Sequence, residues 1–206
     1  MSRIITISRE FGSGGRELGK RLADSLGVDY YDREIITAIA EQTGLGENYV
    51  EQILESHAWK KIPLNFRHSF ANIDRLEPTQ AGFLIEQKRV IEKIAKTGKD
   101  CVIVGRNADI LLSDEKPFNM FVFAGMDARI RRCMDRAETG EHMSLEEMEQ
   151  NILRIDKSRA EIREVLSGSK WGEVGTYHLM INTTDWKIKE LTPVVAEFVT
   201  RWFEKK

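Results

Sequence analysis

A β-branched run, a cluster of glycines and an amphipathic repeat follow one another without a gap between Ile4 and Leu26. That order constrains the chain more than any other feature of its sequence. Ile4, Ile5 and Ile7 read as a short buried strand. Gly12, Ser13, Gly14 and Gly15 follow, and then Leu18, Leu22, Ala23 and Leu26 recur at helical spacing with Lys20, Arg21 and Asp24 between them. Strand, glycine loop and helix in succession make a phosphate cradle. Glycines let the backbone turn its N–H groups inward, and the helix aims its positive end at the anion.

The loop does not meet the strict phosphate-loop pattern G-x-x-x-x-G-K-[ST]. With Gly14 as the second glycine, Arg9 stands at the first, Gly15 at the lysine and Arg16-Glu17 at the hydroxyl positions. The usual phosphate lysine and the usual magnesium hydroxyl are both missing, and Arg16 is the nearest cation. Two other readings stay open at this point. One is a plain tight turn before a helix. The other is a dinucleotide fingerprint, in which Gly12 and Gly14 fit G-x-G-x-x-G, Glu17 breaks the third glycine, and Asp32 lies near the ribose-carboxylate position.

The rest of the chain alternates strand-like and helix-like stretches, as a parallel sheet covered on both faces does. Strands are expected at 3–8, 28–32, 101–105, 118–124 and 177–182. Helices are expected from Ile35 to Gly44, from Glu47 to Trp59, from Ala81 to Thr97, from Asp127 to Arg136, after the capping box at Ser144-Leu145-Glu146-Glu147, and from Trp186 to Phe203. Residues 60–80 carry little periodic signal and read as a mobile or partner-facing insertion. At 206 residues, this is one domain or one domain with an inserted lid. The formal net charge of -2 argues against a dedicated nucleic-acid binder. Cys101 and Cys133 have no metal-type spacing and read as reduced structural thiols, and four scattered histidines suggest no zinc site. No signal peptide or membrane-length apolar run is evident, so a reducing cytoplasm is the expected location.

Three basic groups fall at or after the expected strand ends. They are Arg9 with Arg16, then Arg106, then the set Arg129, Arg132, Arg136, Arg154, Lys157 and Arg159. Phosphoryl transfer asks for such groups, because charge spreads over several phosphate oxygens and arginine's planar fork matches them in pairs. Any one of these arginines could instead belong to a solvated helix face paired with Glu and Asp.

The motifs ISREFGSGGRELGKRLADSLGVDYYDREII, VIVGRNAD, RIDKSRA, KWG and YHLMINT together span nearly the whole chain. In combination they resemble the cytidylate kinase-like family, a nucleoside monophosphate kinase branch of the P-loop NTPases. The resemblance implies an α/β fold with a parallel five-stranded sheet, helices on both faces and a helical lid. It implies a single domain over residues 1–206, with a monophosphate-binding insertion at about 33–98 and a lid at about 136–172. It implies ATP-dependent transfer to a nucleoside monophosphate, CMP or dCMP first, with ATP and Mg²⁺ as cofactors. Small nucleotides would be the partners, with no nucleic acid and no membrane, and a homodimer is left open.

Residue by residue, Gly12, Ser13, Gly14, Gly15, Arg16 and Glu17 would hold the donor phosphates, with Arg129 and Arg132 beside them. Asp32, Arg33, Arg106, Asn107 and Asp156 would serve the acceptor. Arg16, Arg106, Arg154 and Arg159 would act on the transferring phosphate. No protein metal ligand is assigned. Three positions depart from the family pattern: Gly15 for the lysine, Glu17 for a threonine and Asn107 for the aspartate after Arg106. A second class of function therefore stays open, a nucleotide-binding sensor or partner module with little or no turnover. The dinucleotide reading falls behind, because it explains neither Arg106 nor the lid arginines.

Overall fold

The computed structural model describes residues 2–48, 50, 80–136 and 143–205. Its centre is strand β1 (Ile4–Arg9), buried at every position but the last. Side chains alternate across a strand, so Ile5 and Ile7 enter one core and Ile4 enters the other. β2 (Asp29–Tyr31), β3 (Cys101–Val104), β4 (Phe118–Phe123) and β5 (Leu179–Asn182) complete an all-parallel sheet in the order β2-β3-β1-β4-β5. All five lie within a residue or two of where the sequence places them. β2 and β5 are shorter than expected, because they are edge strands with one ladder each to support them.

One face of the sheet is covered by α1 (Gly15–Leu26) and α7 (Ile188–Glu204), which bury Leu18, Leu22, Val195 and Val199 against Ile5, Val102 and Met120. The other face takes α2 (Arg33–Thr43), α3 (Gln80–Lys96), the single turn α4 (Ala108–Leu111) and part of α6 (Leu145–Ser167). Between β4 and α6 lies α5 (Met126–Met134). The capping box read from the sequence opens α6: the Glu147 N–H donates to Ser144 Oγ at 3.1 Å, and the Ser144 N–H donates to Glu147 Oε2 at 2.8 Å. Most of the expected helix at 47–59 and the insertion at 60–80 lie outside the described residues. Among the described residues, no helix is long and apolar enough to cross a membrane.

Because β1 and β3 are adjacent and parallel, the loop after Arg9 and the turn after Val104 emerge at the same sheet edge. The carboxyl ends of parallel strands are where such sheets bind ligands.

Candidate active site

The glycine loop forms as its composition requires. Gly12 (φ 77°) and Gly14 (φ 85°) are left-handed, and α1 begins at Gly15. The first-turn N–H groups of α1 have no acceptor within the helix. Ser13 is buried and spends its hydroxyl inside the loop, donating to Glu10 O at 2.8 Å. Gly12, Gly14, Gly15, Arg16, Arg132 and Arg136 line a cavity of about 400 Å³ with Met148 and Asn151 of α6.

Much of what holds this loop comes from distant sequence. Asp156 on α6 accepts the Phe11 N–H at 2.8 Å and pairs with Arg129. Arg129 also donates to Phe11 O at 2.7 Å and lies 3.3 Å from Glu10. Arg132 reaches Ser13 O at 3.4 Å, Thr183 Oγ1 at 3.3 Å and Trp186 O at 3.2 Å, and it also donates to Thr183 O. Thr183 Oγ1 donates to Ser13 O at 2.6 Å. Burial pushes the Glu10 carboxyl up, against the Ala124 N–H and the Arg129 charge, which favour its ionised form.

Asp32, at the end of β2, is 4% exposed. Arg16 Nε sits 2.5 Å from its Oδ2 and Arg9 Nη2 3.5 Å from its Oδ1. Arg106 and Arg159 also stand close enough to act on Arg9. The Arg9 guanidinium is pulled down to about 9, first by burial, then by Arg159, with Arg106 and Arg16 adding to it and Asp32 opposing. Two guanidinium groups, Arg9 and Arg16, thus share the buried Asp32 carboxylate. Arg106 and Arg159 add positive charge around Arg9, and Asp156 lies 3.6 Å from Arg159, a local excess of positive charge that suits an anion.

The turn after β3 is unusual backbone. Gly105, Arg106 and Asn107 are left-handed in succession, at φ 72°, 59° and 53°. Two non-glycine residues there carry strain of the kind that collects at working sites. Buried Gln87 of α3 fixes the turn by donating to Arg106 O at 2.8 Å. Just beyond it, Asp109 pairs with Arg163 of α6 at 2.5 Å, both side chains being 3% exposed. Arg106 and Asn107 line a narrow cleft with Leu84, Ile155, Ser158 and Trp171.

The expected site residues therefore divide. Gly12, Gly14, Gly15, Arg16, Arg132 and Arg159 meet at the loop, and Arg106, Asn107 and Arg159 meet at the acceptor cleft. Asp32 and exposed Arg33 line a third, outer hollow with Arg16 and Glu17. Glu17 is held by Arg21 at 2.9 Å and Arg136 at 2.5 Å.

Three of the expected site residues are placed away from the two clefts or behind the loop. Asp156 ties the loop to α6 and does not line the acceptor cleft. Arg129 is 6% exposed and committed to Glu10, Asp156 and Phe11 O, so it braces the loop from behind. Arg154 is exposed, holds Asn151 at 2.7 Å and lines neither cleft, because five residues along a helix turn it well away from Arg159.

Gln87 and Ser158 went unassigned by sequence. Each is a polar residue on an otherwise apolar helical stripe, Phe83-Leu84-Gln87-Val90-Ile91 and Ile152-Ile155-Ser158-Ile162, and that was the available signal.

The sequence profile of the cytidylate kinase-like family matches residues 4–185. The chain belongs to that family, with the parallel five-stranded α/β fold of P-loop kinases. Among curated proteins, none matches. In solved structures, an uncharacterized protein from Eubacterium ventriosum ATCC 27560 is similar at 23% identity and a TM-score of 0.70, covering 97% of this chain and 99% of the other. Shikimate kinase from Bacteroides thetaiotaomicron is similar at 16% identity and a TM-score of 0.57, over 96% and 98%. Shikimate kinase from Acinetobacter baumannii, in complex with shikimate, is similar at 15% identity and a TM-score of 0.55, over 98% and 94%. At these identities the likeness is one of fold.

Proposed function

We propose that this protein transfers the terminal phosphoryl group of ATP to a nucleoside monophosphate, with CMP or dCMP the first acceptors to test. One observation carries the reading: the glycine loop and the Gly105-Arg106-Asn107 turn open side by side on one sheet edge, and their two clefts share a wall. The loop and the first turn of α1 suit a polyphosphate, with Gly12 and Gly14 shaping the turn. Arg16 and Arg132 add charge at its mouth. Arg106 would grip the acceptor phosphate through its planar fork. Leu84, Ile155 and Trp171 give that cleft apolar walls, with Gln87 and Ser158 as polar points, a mixture that suits a base or sugar beyond the phosphate.

Among the described residues, no three carboxylate, imidazole or thiol groups cluster as metal ligands, and Glu17 is taken up by Arg21 and Arg136. Magnesium carried in on ATP would neutralise polyphosphate charge, with its ligands drawn from ATP and water. The lid proposed over 136–172 includes α6, which Asp156 and Arg163 pin to the loop and to α4. Closure would therefore fall to its first turns, where it excludes water from the transferring phosphate.

Purified protein given ATP, Mg²⁺ and a panel of nucleoside monophosphates should release ADP with at least one of them, and CMP is expected to lead. ATP binding without ADP release against any acceptor would favour the second reading, a nucleotide-binding module. Gly15 in place of the loop lysine is the observation on its side.

A further inference from the structure

Arg9 stands where the phosphate-loop pattern carries its first glycine, and Gly15 where it carries its lysine. The structure makes these two departures one exchange. A Cβ at Gly15 would come within 2.6 Å of Arg9 Cβ and 3.0 Å of Arg9 Cγ, so this arginine and a lysine at 15 compete for the same space. From β1 the Arg9 side chain runs across to the end of β3, where any Cβ at Gly105 would overlap its Nη1. It is 11% exposed, and Nη2 lies 3.5 Å from Asp32 Oδ1. Among the described residues, Arg9 and Arg159 alone line both the loop cavity and the acceptor cleft. Arg159 Nη1 donates to Arg9 O at 3.0 Å, so the second shared residue is tied to the first.

Building on the phosphotransferase reading, we propose that Arg9 is a catalytic residue that supplies the cation missing from the loop. Its guanidinium contacts the transferring phosphoryl group between donor and acceptor. In that step an acceptor phosphate oxygen bonds to the γ-phosphorus of ATP as the bond to the β–γ bridging oxygen breaks, and the electron pair leaves with ADP. Arg9 stays protonated throughout, and nothing is oxidised or reduced. Charge builds on the equatorial oxygens, and a guanidinium already given room by Gly105 and paired with Asp32 meets it with little reorganisation. Like charge from Arg159, Arg106 and Arg16 already presses on Arg9 and is relieved when the phosphate arrives.

The test uses full-length protein with ATP, ADP and CMP as probes, comparing wild type, Arg9→Gln and Arg9→Lys, with melting curves alongside. Arg9→Gln should lower kcat for ADP release by ~10²–10³-fold, as loss of one preorganised transition-state donor does. ATP affinity should fall while ADP affinity holds, because Arg9 contacts the γ-phosphoryl group that ADP lacks. Arg9→Lys keeps charge and loses the fork, so its kcat should fall between the two. Arg9→Gln with a wild-type melting temperature and kcat within about threefold of wild type would make Arg9 a strut and overturn the proposal. Should Arg9→Gln fail to fold, Arg9→Lys carries the test, and an unchanged kcat overturns it equally. Wild-type protein that neither binds ATP nor turns it over would sink the phosphotransferase reading itself, a result distinct from an active wild type with an active Arg9→Gln.

Discussion

The two halves of the candidate site sit on neighbouring strands and are held in opposite ways. The glycine loop relies on partners far away in sequence: Asp156, Arg129, Arg132 and Thr183 hold the backbone of residues 11 and 13. The Gly105–Asn107 turn relies on its own left-handed backbone, with Gln87 above it and the Asp109–Arg163 pair behind it. A loop that binds polyphosphate through N–H groups must keep them aimed, and glycine-rich backbone is the least able to do this unaided. A turn that presents one guanidinium needs a fixed exit direction, and strained local backbone supplies that at the cost of about 1–2 kcal/mol per left-handed residue. Preorganisation by network should fail through distant mutations, and preorganisation by backbone through local ones.

The largest effect is expected behind the turn. Asp109→Ala leaves the Arg163 guanidinium buried without its carboxylate. Breaking a buried pair from one side costs about 3–5 kcal/mol, whereas replacing both partners by apolar residues costs far less. Urea unfolding should show that loss for Asp109→Ala, and most of it should return in Asp109→Leu/Arg163→Leu. A double variant as unstable as the single one would mean that the pair does more than cancel its own burial.

Asp156→Ala comes next and tests the network side. It leaves Arg129 with Glu10, releases the Phe11 N–H and removes the carboxylate 3.6 Å from Arg159 Nη1. At 13% exposure, Asp156 should cost somewhat less than a fully buried partner, about 3 kcal/mol. ATP affinity should fall most, since the loop loses its tie to α6, and CMP affinity in the folded fraction should fall less, through the Arg159 contact alone. Equal loss of both ligands would show that the two halves are not independently held.

How much of this was legible follows from which forces are local. The five strands could be read because a central parallel strand is apolar on both faces, and 101–104 and 118–123 show that directly. Gly12 to Gly15 and Arg106 could be read because a loop and a strand end carry their signal in adjacent residues. Asp156 and Arg129 carry no such local signal, and in the structure both contact the loop. Helical spacing reports which residues share a face. It does not report that α6 crosses the sheet where residue 156 meets residue 11. Arg154 is a different matter, because residues five apart on a helix lie about 140° apart, so 154 and 159 leave α6 in different directions.

Gly12→Ala should give a middling effect confined to the donor half. The new Cβ would meet Arg129 O and Cys133 Sγ at 2.9 Å each, in a backbone conformation an L-residue resists. Gly14→Ala is equally left-handed, but its Cβ meets side-chain atoms alone, Ile188 Cδ1 at 2.6 Å and Cγ1 at 2.8 Å, and no backbone. Gly12→Ala should therefore destabilise by about 2 kcal/mol and Gly14→Ala by less, as cap and strain changes do. The reverse order in thermal unfolding would show that Ile188, and not the α5 backbone, is the rigid wall of the loop.

The smallest effect should lie in the acceptor turn and have a sign. Asn107 is left-handed at φ 53°, and its side chain makes no capping hydrogen bond to α4. Asparagine tolerates this region better than most residues, and alanine tolerates it worse. Asn107→Ala should cost about 1 kcal/mol, and Asn107→Gly should be neutral or slightly stabilising, because it removes the strain while freeing the unfolded chain. Function should move the other way. A glycine beside Arg106 lets the turn sample other directions, so CMP affinity should fall in Asn107→Gly despite intact stability. Glycine and asparagine that bind CMP alike, at equal melting temperature, would mean that Gln87 and the Asp109–Arg163 pair alone aim Arg106. The contrast between a network-held loop and a backbone-held turn would then collapse into two networks.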